Sequence, residues 1–317
     1  MTPLPPPRSG PADATPLDWA LLALLTALGG SSFTFIRAAI ETVPPPLVAI
    51  GRLWIAAAAL FVLMRAKRQS LPPVFIRSHD RLRLNAIWGS MIGVGIIGYS
   101  IPFLIFPWAQ QYVESGLAGV YMAFMPLWTL GLAYFFADER INAYRIAGFL
   151  MGFAGVILLL GPEALSGVKR SGFLAQAGLL LATFCYAVSV VMTRRAPGTS
   201  PRVFSAGAVA IGAAFATPAL LIAPIMPTDW SAMSLASIVI LGLGPTALAG
   251  FIIFTIVASA GASFMALANY VTPVVAVALG ALLYGERLET SAFIALGLIF
   301  AGVAVSQRRS PPAQNSS

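Results

Sequence analysis

Runs of about 20 mainly apolar residues, the length that crosses the hydrocarbon core of a bilayer, recur along the chain. Ten such spans can be marked: Leu17–Ile36, Pro46–Met64, Leu84–Phe106, Gly116–Phe136, Ala143–Gly161, Phe173–Met192, Val203–Ala223, Ser234–Val257, Ala262–Leu283 and Thr290–Val305. Inside a bilayer no water takes up backbone N–H and C=O groups, so runs of this length are expected to be helices that satisfy their own backbone. The expected fold is an all-α integral membrane protein with ten transmembrane helices. Composition agrees: 58% of the residues are hydrophobic, 9% are charged and the mean hydropathy is +0.86, against about a quarter charged in soluble domains.

Lys and Arg outnumber Asp and Glu by 19 to 11. In a soluble chain that excess would suggest nucleic acid; here the charges lie between apolar runs, where topology explains them and no nucleic-acid partner is inferred. With the amino terminus inside, the inner segments hold Arg8, six basic residues from Arg65 to Arg83, Arg140, Arg145, Arg194, Arg195, Arg202, Arg308 and Arg309, fourteen in all. The outer segments hold Arg37, Lys169, Arg170 and Arg287, and Arg52 falls inside a span. Fourteen against four puts both termini in the cytoplasm. The Pro-rich residues 1–16 and the polar residues 306–317 read as disordered tails.

The lone His79 and the lone Cys185 leave no set of ligands for a metal or haem site, and no cofactor is inferred. Cys185 reads as a small buried hydrophobe.

The chain also repeats itself. The stretch that begins "PLWTLGLAYFFADER" at Pro126 returns as "PVVAVALGALLYGER" at Pro273, and Pro126/Pro273, Glu139/Glu286, Arg140/Arg287 and Gly155/Gly302 are all 147 residues apart. A repeat of five spans is odd in number, so its second copy enters from the opposite face. Two inverted five-helix repeats, 17–161 and 173–305, are expected, an arrangement common in secondary transporters with the substrate site near the midplane.

The paired P-x12-E-R-[IL] blocks, Trp19 with Gly30-Ser31, Arg37 near the end of span one and Arg52 early in span two resemble the EamA family of the drug/metabolite transporter superfamily, over roughly Trp19 to Val305. The resemblance implies a carrier in the bacterial inner membrane, often an exporter of amino acids or other metabolites. Its cavity would be lined by spans one, three, four, six, eight and nine, with five and ten peripheral. The aromatic and Met-rich span four is most similar to exporters of aromatic amino acids of the YddG type. Span seven has no arginine to match Arg52; the counterpart is Ala208 or Val209.

Within span three, "GIIGYSIPF" from Gly95 gathers residues that weaken a helix. At the offset of 147, Gly95 matches Gly242, Gly98 matches Pro245 and Tyr99 matches Thr246. Paired broken spans are the best pointer from sequence to a transporter's site. A proline removes its own N–H and pushes away the carbonyl four residues earlier. Pro102, Pro126, Pro245 and Pro273 would thus free the carbonyls of Gly98, Met122, Leu241 and Asn269 as acceptors for an ammonium group. Helix breaks or gates are expected at all four prolines and at Gly95, Gly98 and Gly242.

A small-molecule pocket combines apolar and aromatic walls with a few placed polar groups. The candidate substrate-binding residues are Ser31 in span one, Tyr99 and Ser100 in span three, Tyr121 and Met122 in span four, Tyr186 and Ser189 in span six, Thr246 in span eight and Asn269 in span nine. Arg52 has two readings: a clamp for a substrate carboxylate, or a near-terminal arginine that snorkels or bonds helix carbonyls, and the second is preferred. Glu139 and Glu286 stand at opposite membrane faces and read as helix caps, not as a catalytic pair. No Asp, Glu, His or Lys lies mid-span, so no proton relay is evident and facilitated transport or exchange is expected. The expected partners are a small-molecule substrate and the lipid bilayer. The alternatives are a carrier of nucleotide sugars, which would need more cavity cations, a carrier of cationic drugs, and an intramembrane enzyme, for which no catalytic pair is at hand.

Overall fold

The helices begin where the sequence supplies starts. Thr15 caps α1 (Pro16–Ile40) in a reciprocal capping box with Asp18, and Pro16 stands at the first helical position. The Pro44-Pro45-Pro46 run opens α2 (Pro45–Ala66). A computed structural model describes residues 14–78, 81–136, 143–166, 170–222, 229–260, 262–265 and 267–306. His79, Glu139, Arg140 and most of both tails lie outside these residues; Thr15, Pro16 and Ser306, assigned to the tails from sequence, belong to the cap of α1, to α1 and to the last helix.

Asn85 caps α3 (Ala86–Val94), which passes through a π turn at Gly95–Ser100 into α4 (Ile101–Ala109). Next come α5 (Ser115–Tyr121), a 3₁₀ turn at Met122–Phe124, α6 (Met125–Phe136), α7 (Ala143–Ser166), α8 (Arg170–Arg195) and α9 (Pro201–Ala216). Then α10 (Ala232–Leu241) passes through a second π turn, Gly242–Leu248, into α11 (Ala249–Ser259), followed by α12 (Ala262–Met265), α13 (Ala268–Tyr284) and α14 (Thr290–Ser306). The connection after α2 departs from the all-α expectation: Phe75–Ser78 and Arg81–Leu84 pair as a short antiparallel hairpin, Phe75 opposite Leu84. Alternating polar and apolar residues favour extended pairing there over a simple charged loop.

Among the described residues, six helical segments are long and apolar enough to cross a membrane: Pro16–Ile40, Pro45–Ala66, Ala86–Ala109, Gly172–Thr193, Pro201–Leu221 and Ala232–Ile253. Shorter apolar helices lie at Ile146–Gly155, Val271–Tyr284 and Thr290–Val305. Large apolar side chains stand on their outer surface, Leu282 79% and Val62 68% exposed among them, which suits contact with lipid tails.

Four clusters of buried residues fill the interior among the described residues, and two of them are much the larger. One joins α1, α4, α5, α8 and α13 around Phe33, Ile36, Phe106 and Tyr121; the other joins α2, α3 and α9 around Leu53, Met91 and Val209. The principal neighbours are α7 with α14, α1 with α13 and α10, α2 with α9 and the second π turn, α5 with α13, α8 with α4 and α6, and α9 with the first π turn.

Candidate functional site

A π turn holds one residue more than an α turn and often marks a functional place. The two π turns start at Gly95 and Gly242, the paired positions marked from sequence. Each glycine is there because another backbone comes close. A Cβ on Gly95 would lie 2.7 Å from the carbonyl oxygen of Ala208, and one on Gly242 would lie 3.0 Å from that of Arg52. Arg52 and Ala208 thus meet equivalent glycines, in line with the match by distance along the chain.

A cavity of about 360 Å³ lies between the turns. Gly98 and Tyr99 of the first turn and Pro245 and Thr246 of the second line it, with Met122, Tyr186, Ser189 and Asn269. Tyr99, Met122, Tyr186, Ser189, Thr246 and Asn269 were named from the sequence as cavity candidates, and Gly98 and Pro245 as helix breaks. Spans two and seven add Arg52, Phe204, Ser205 and Ala208, a contribution the family resemblance does not imply, whereas α7 and α14 add nothing among the described residues.

Three expected residues are not on the wall. Ser31 turns back to donate to the Leu28 carbonyl at 3.2 Å, and its neighbour Ser32 lines the cavity instead. Tyr121 is fully buried and donates to Gln176 Oε1 at 2.7 Å, which ties α5 to α8. Ser100 is buried and does not line the cavity. One helix break is also corrected. Pro273 stands inside α13, which runs unbroken from Ala268 to Tyr284, because α1 and α5 pack against the helix and one lost hydrogen bond does not break it. Pro102 follows the first π turn and Pro126 follows the 3₁₀ turn.

The carbonyl freed by Pro245 is not left for a ligand. Thr246 Oγ1 donates to Leu241 O, five residues back, at 2.7 Å. That hydroxyl in turn accepts from Arg52 Nε at 3.2 Å and Nη2 at 3.0 Å. Arg52 Nη2 also reaches Ser32 Oγ at 3.4 Å, and the guanidinium carbon lies 4.3 Å from the centre of the Phe103 ring. Arg52 is 4% exposed, so it neither snorkels nor bonds helix carbonyls. Sequence spacing missed this because the partners lie on other helices, Thr246 being 194 residues away. The wall is otherwise apolar or neutral. Ser205 Oγ, also on it, has no hydrogen-bond partner among the described residues.

The cavity reaches Thr193, Phe204 and Ser205 near the α8–α9 connection. Ile36 and Phe106 also line it, and a polar clasp joins the start of α5 to the loop after α13. Glu286 Oε1 accepts from Ser115 N at 2.9 Å and Ser115 Oγ at 2.7 Å, and its Oε2 accepts from Gly116 N at 2.7 Å. The carboxylate so caps the start of α5 from the loop after α13, in line with the capping role read from sequence. Partial burial and the neighbouring Glu286 carboxylate push Glu114 above the usual carboxylate range, and Arg37 opposes them. No group of three or more metal-ligating side chains occurs among the described residues.

The model of the EamA-like transporter family matches residues 17–161 and again 174–307. The protein named Uncharacterized inner membrane transporter YedA of Escherichia coli (strain K12) is 30% identical over 297 residues, 92% of this chain and 90% of its own. Uncharacterized transporter YoaV of Bacillus subtilis (strain 168) is 23% identical over 281 residues, 88% of this chain and 92% of its own. A chain described as the crystal structure of a protein superposes with a TM-score of 0.61 at 21% identity, over 93% of this chain and 97% of that one, a likeness of fold alone.

Proposed function

The chain belongs to the EamA-like transporter family, and from that premise we propose that it exports small neutral or zwitterionic metabolites, amino acids and aromatic ones above all, by alternating access. The observation that carries the reading is the cavity between the two π turns. Its volume of about 360 Å³ lies at the lower end of the range of about 300–1,000 Å³ for small-molecule sites. That suits one amino acid better than a nucleotide sugar. Tyr99, Phe103, Phe106 and Tyr186 give it aromatic walls, and Ser189, Thr246 and Asn269 add the polar groups.

The halves are read as inverted repeats of five spans. Number the spans so that α3–α4 is three, α5–α6 four, α10–α11 eight and α12–α13 nine. Exchanging each span for the one five away then turns contacts one–eight and one–nine into six–three and six–four, and seven–three into two–eight. It leaves two–seven, four–nine and five–ten unchanged. This exchange is what a two-fold axis in the membrane plane would produce. With both termini in the cytoplasm, as the basic residues favour, the α8–α9 end of the cavity faces the cytoplasm and the Glu286 clasp closes the outer end.

No Asp, Glu, His or Lys lines the cavity among the described residues. A proton relay normally runs on such groups, so transport is read as facilitated or as exchange. Counterflow in liposomes with aromatic and aliphatic amino acids, a nucleotide sugar and a cationic drug tests the proposal. Exchange of the aromatic amino acids first is expected; exchange of none, or uptake driven uphill by a pH gradient alone, overturns it.

A further inference from the structure

We propose that Arg52 receives the carboxylate of the transported solute, so that the protein selects small carboxylates with an apolar tail and does not require an amino group on them. The proposal rests on the carrier reading for its physiological meaning, while the binding site itself can be tested apart from transport.

Three observations carry it. First, Arg52 is the sole formally charged side chain on the cavity wall among the described residues. Burying a cation away from water is costly unless an anion meets it, and no carboxylate among the described residues pairs with this one. Second, the guanidinium is held in place before any ligand arrives. Its Nε and Nη2 donate to Thr246 Oγ1, and Phe103 lies against it. Thr246 cannot shift easily, since its own proton is committed to Leu241 O. Third, this arrangement commits one edge of the planar fork, while Nη1 makes no hydrogen bond to a described residue and the second N–H of Nη2 has only the long 3.4 Å contact with Ser32 Oγ. A carboxylate that takes an N–H from Nη1 and displaces Ser32 from Nη2 meets the fork end-on, the geometry for which arginine is suited and lysine is not.

The same wall offers an ammonium group much less. Its acceptors are neutral, such as the amide of Asn269 and the hydroxyls of Ser189 and Ser205. The Leu241 carbonyl is occupied by Thr246. The cavity thus balances the charge of one anionic group and gives an amine no counter-charge.

The test uses the full chain and three probes of one shape: phenylalanine, phenylpyruvate, which keeps the carboxylate without the amine, and phenethylamine, which keeps the amine without the carboxylate. Each is measured as a competitor of labelled phenylalanine counterflow in liposomes and, separately, as a stabiliser of the detergent-purified protein against heat. Phenylpyruvate is expected to match phenylalanine, and phenethylamine to act at least about tenfold more weakly. Arg52→Gln and Arg52→Lys are both expected to lose that preference, since neither keeps the charged fork. The proposal falls if phenethylamine equals phenylalanine on the unaltered protein, or if Arg52→Gln leaves the preference intact. Should a variant not fold, the ranking on the unaltered protein decides. Carboxylate-selective stabilisation without exchange would leave the site standing and remove the carrier reading; exchange without carboxylate selectivity would do the reverse.

Discussion

Tyr99 and Thr246 stand at the same step of the two π turns, and their hydroxyl groups are used in opposite ways. Thr246 spends its proton on Leu241 O and its lone pairs on Arg52. The Tyr99 hydroxyl makes no hydrogen bond to a described residue, although the side chain lines the cavity and its ring packs against Phe103. The two halves therefore share a backbone device and differ in chemistry. One turn is an anchor that positions a cation, and the other presents a wall. The partners across the turns differ in the same sense, Arg52 on one side and Ala208 on the other.

The largest test of this contrast exchanges the residues one step earlier. A Cβ on Gly98 would lie 2.7 Å from Ser189 Cβ, so α8 leaves no room there, whereas Pro245 borders open space. Gly98→Pro should cost about 3 kcal/mol or more, through its ring and its lost N–H, and Pro245→Gly about 1 kcal/mol or less. Thermal unfolding of the purified protein would read the difference, and equal losses would erase it. Thr246→Val keeps the shape but strands Leu241 O and loosens Arg52, with an expected loss of about 2 kcal/mol; a loss of Arg52-dependent binding should accompany it. Tyr121→Phe asks whether that tyrosine is committed like Thr246 or free like Tyr99. Its bond to Gln176 predicts a loss of about 1 kcal/mol with the substrate ranking unchanged. Tyr99→Phe should move stability least, by under about 0.5 kcal/mol, while changing half-saturation in counterflow; an inert variant would show that its hydroxyl does not face the solute.

What the sequence discloses divides along physical lines. Helix-breaking chemistry is local, so Gly95, Gly98, Gly242 and Pro245 could be read as paired breaks from composition and spacing, and both π turns start where that reading puts them. Tyr99 and Thr246, which line the cavity, follow from the same argument, whereas Ser100 and Phe103 do not. Which way a side chain faces is decided by other helices. Nothing near Tyr121 in sequence announces Gln176, and nothing near Arg52 announces Thr246 or Ser32. Distance from the end of a span suggested that Arg52 would snorkel, but the second π turn, on another helix, offers it the Thr246 hydroxyl. Pro273 shows the converse: a residue with a strong local tendency to break a helix is overruled by packing on both sides.

The Glu286 clasp concerns time more than affinity. One carboxylate holds two backbone N–H groups and a hydroxyl at the start of α5, so parting α5 from α13 at that end means breaking all three bonds in a single event, each to a charged acceptor and each stronger than a neutral bond. On the proposed carrier reading, solute passes this end only after those bonds have parted, so the clasp bears on when the cavity empties and the wall on what it holds.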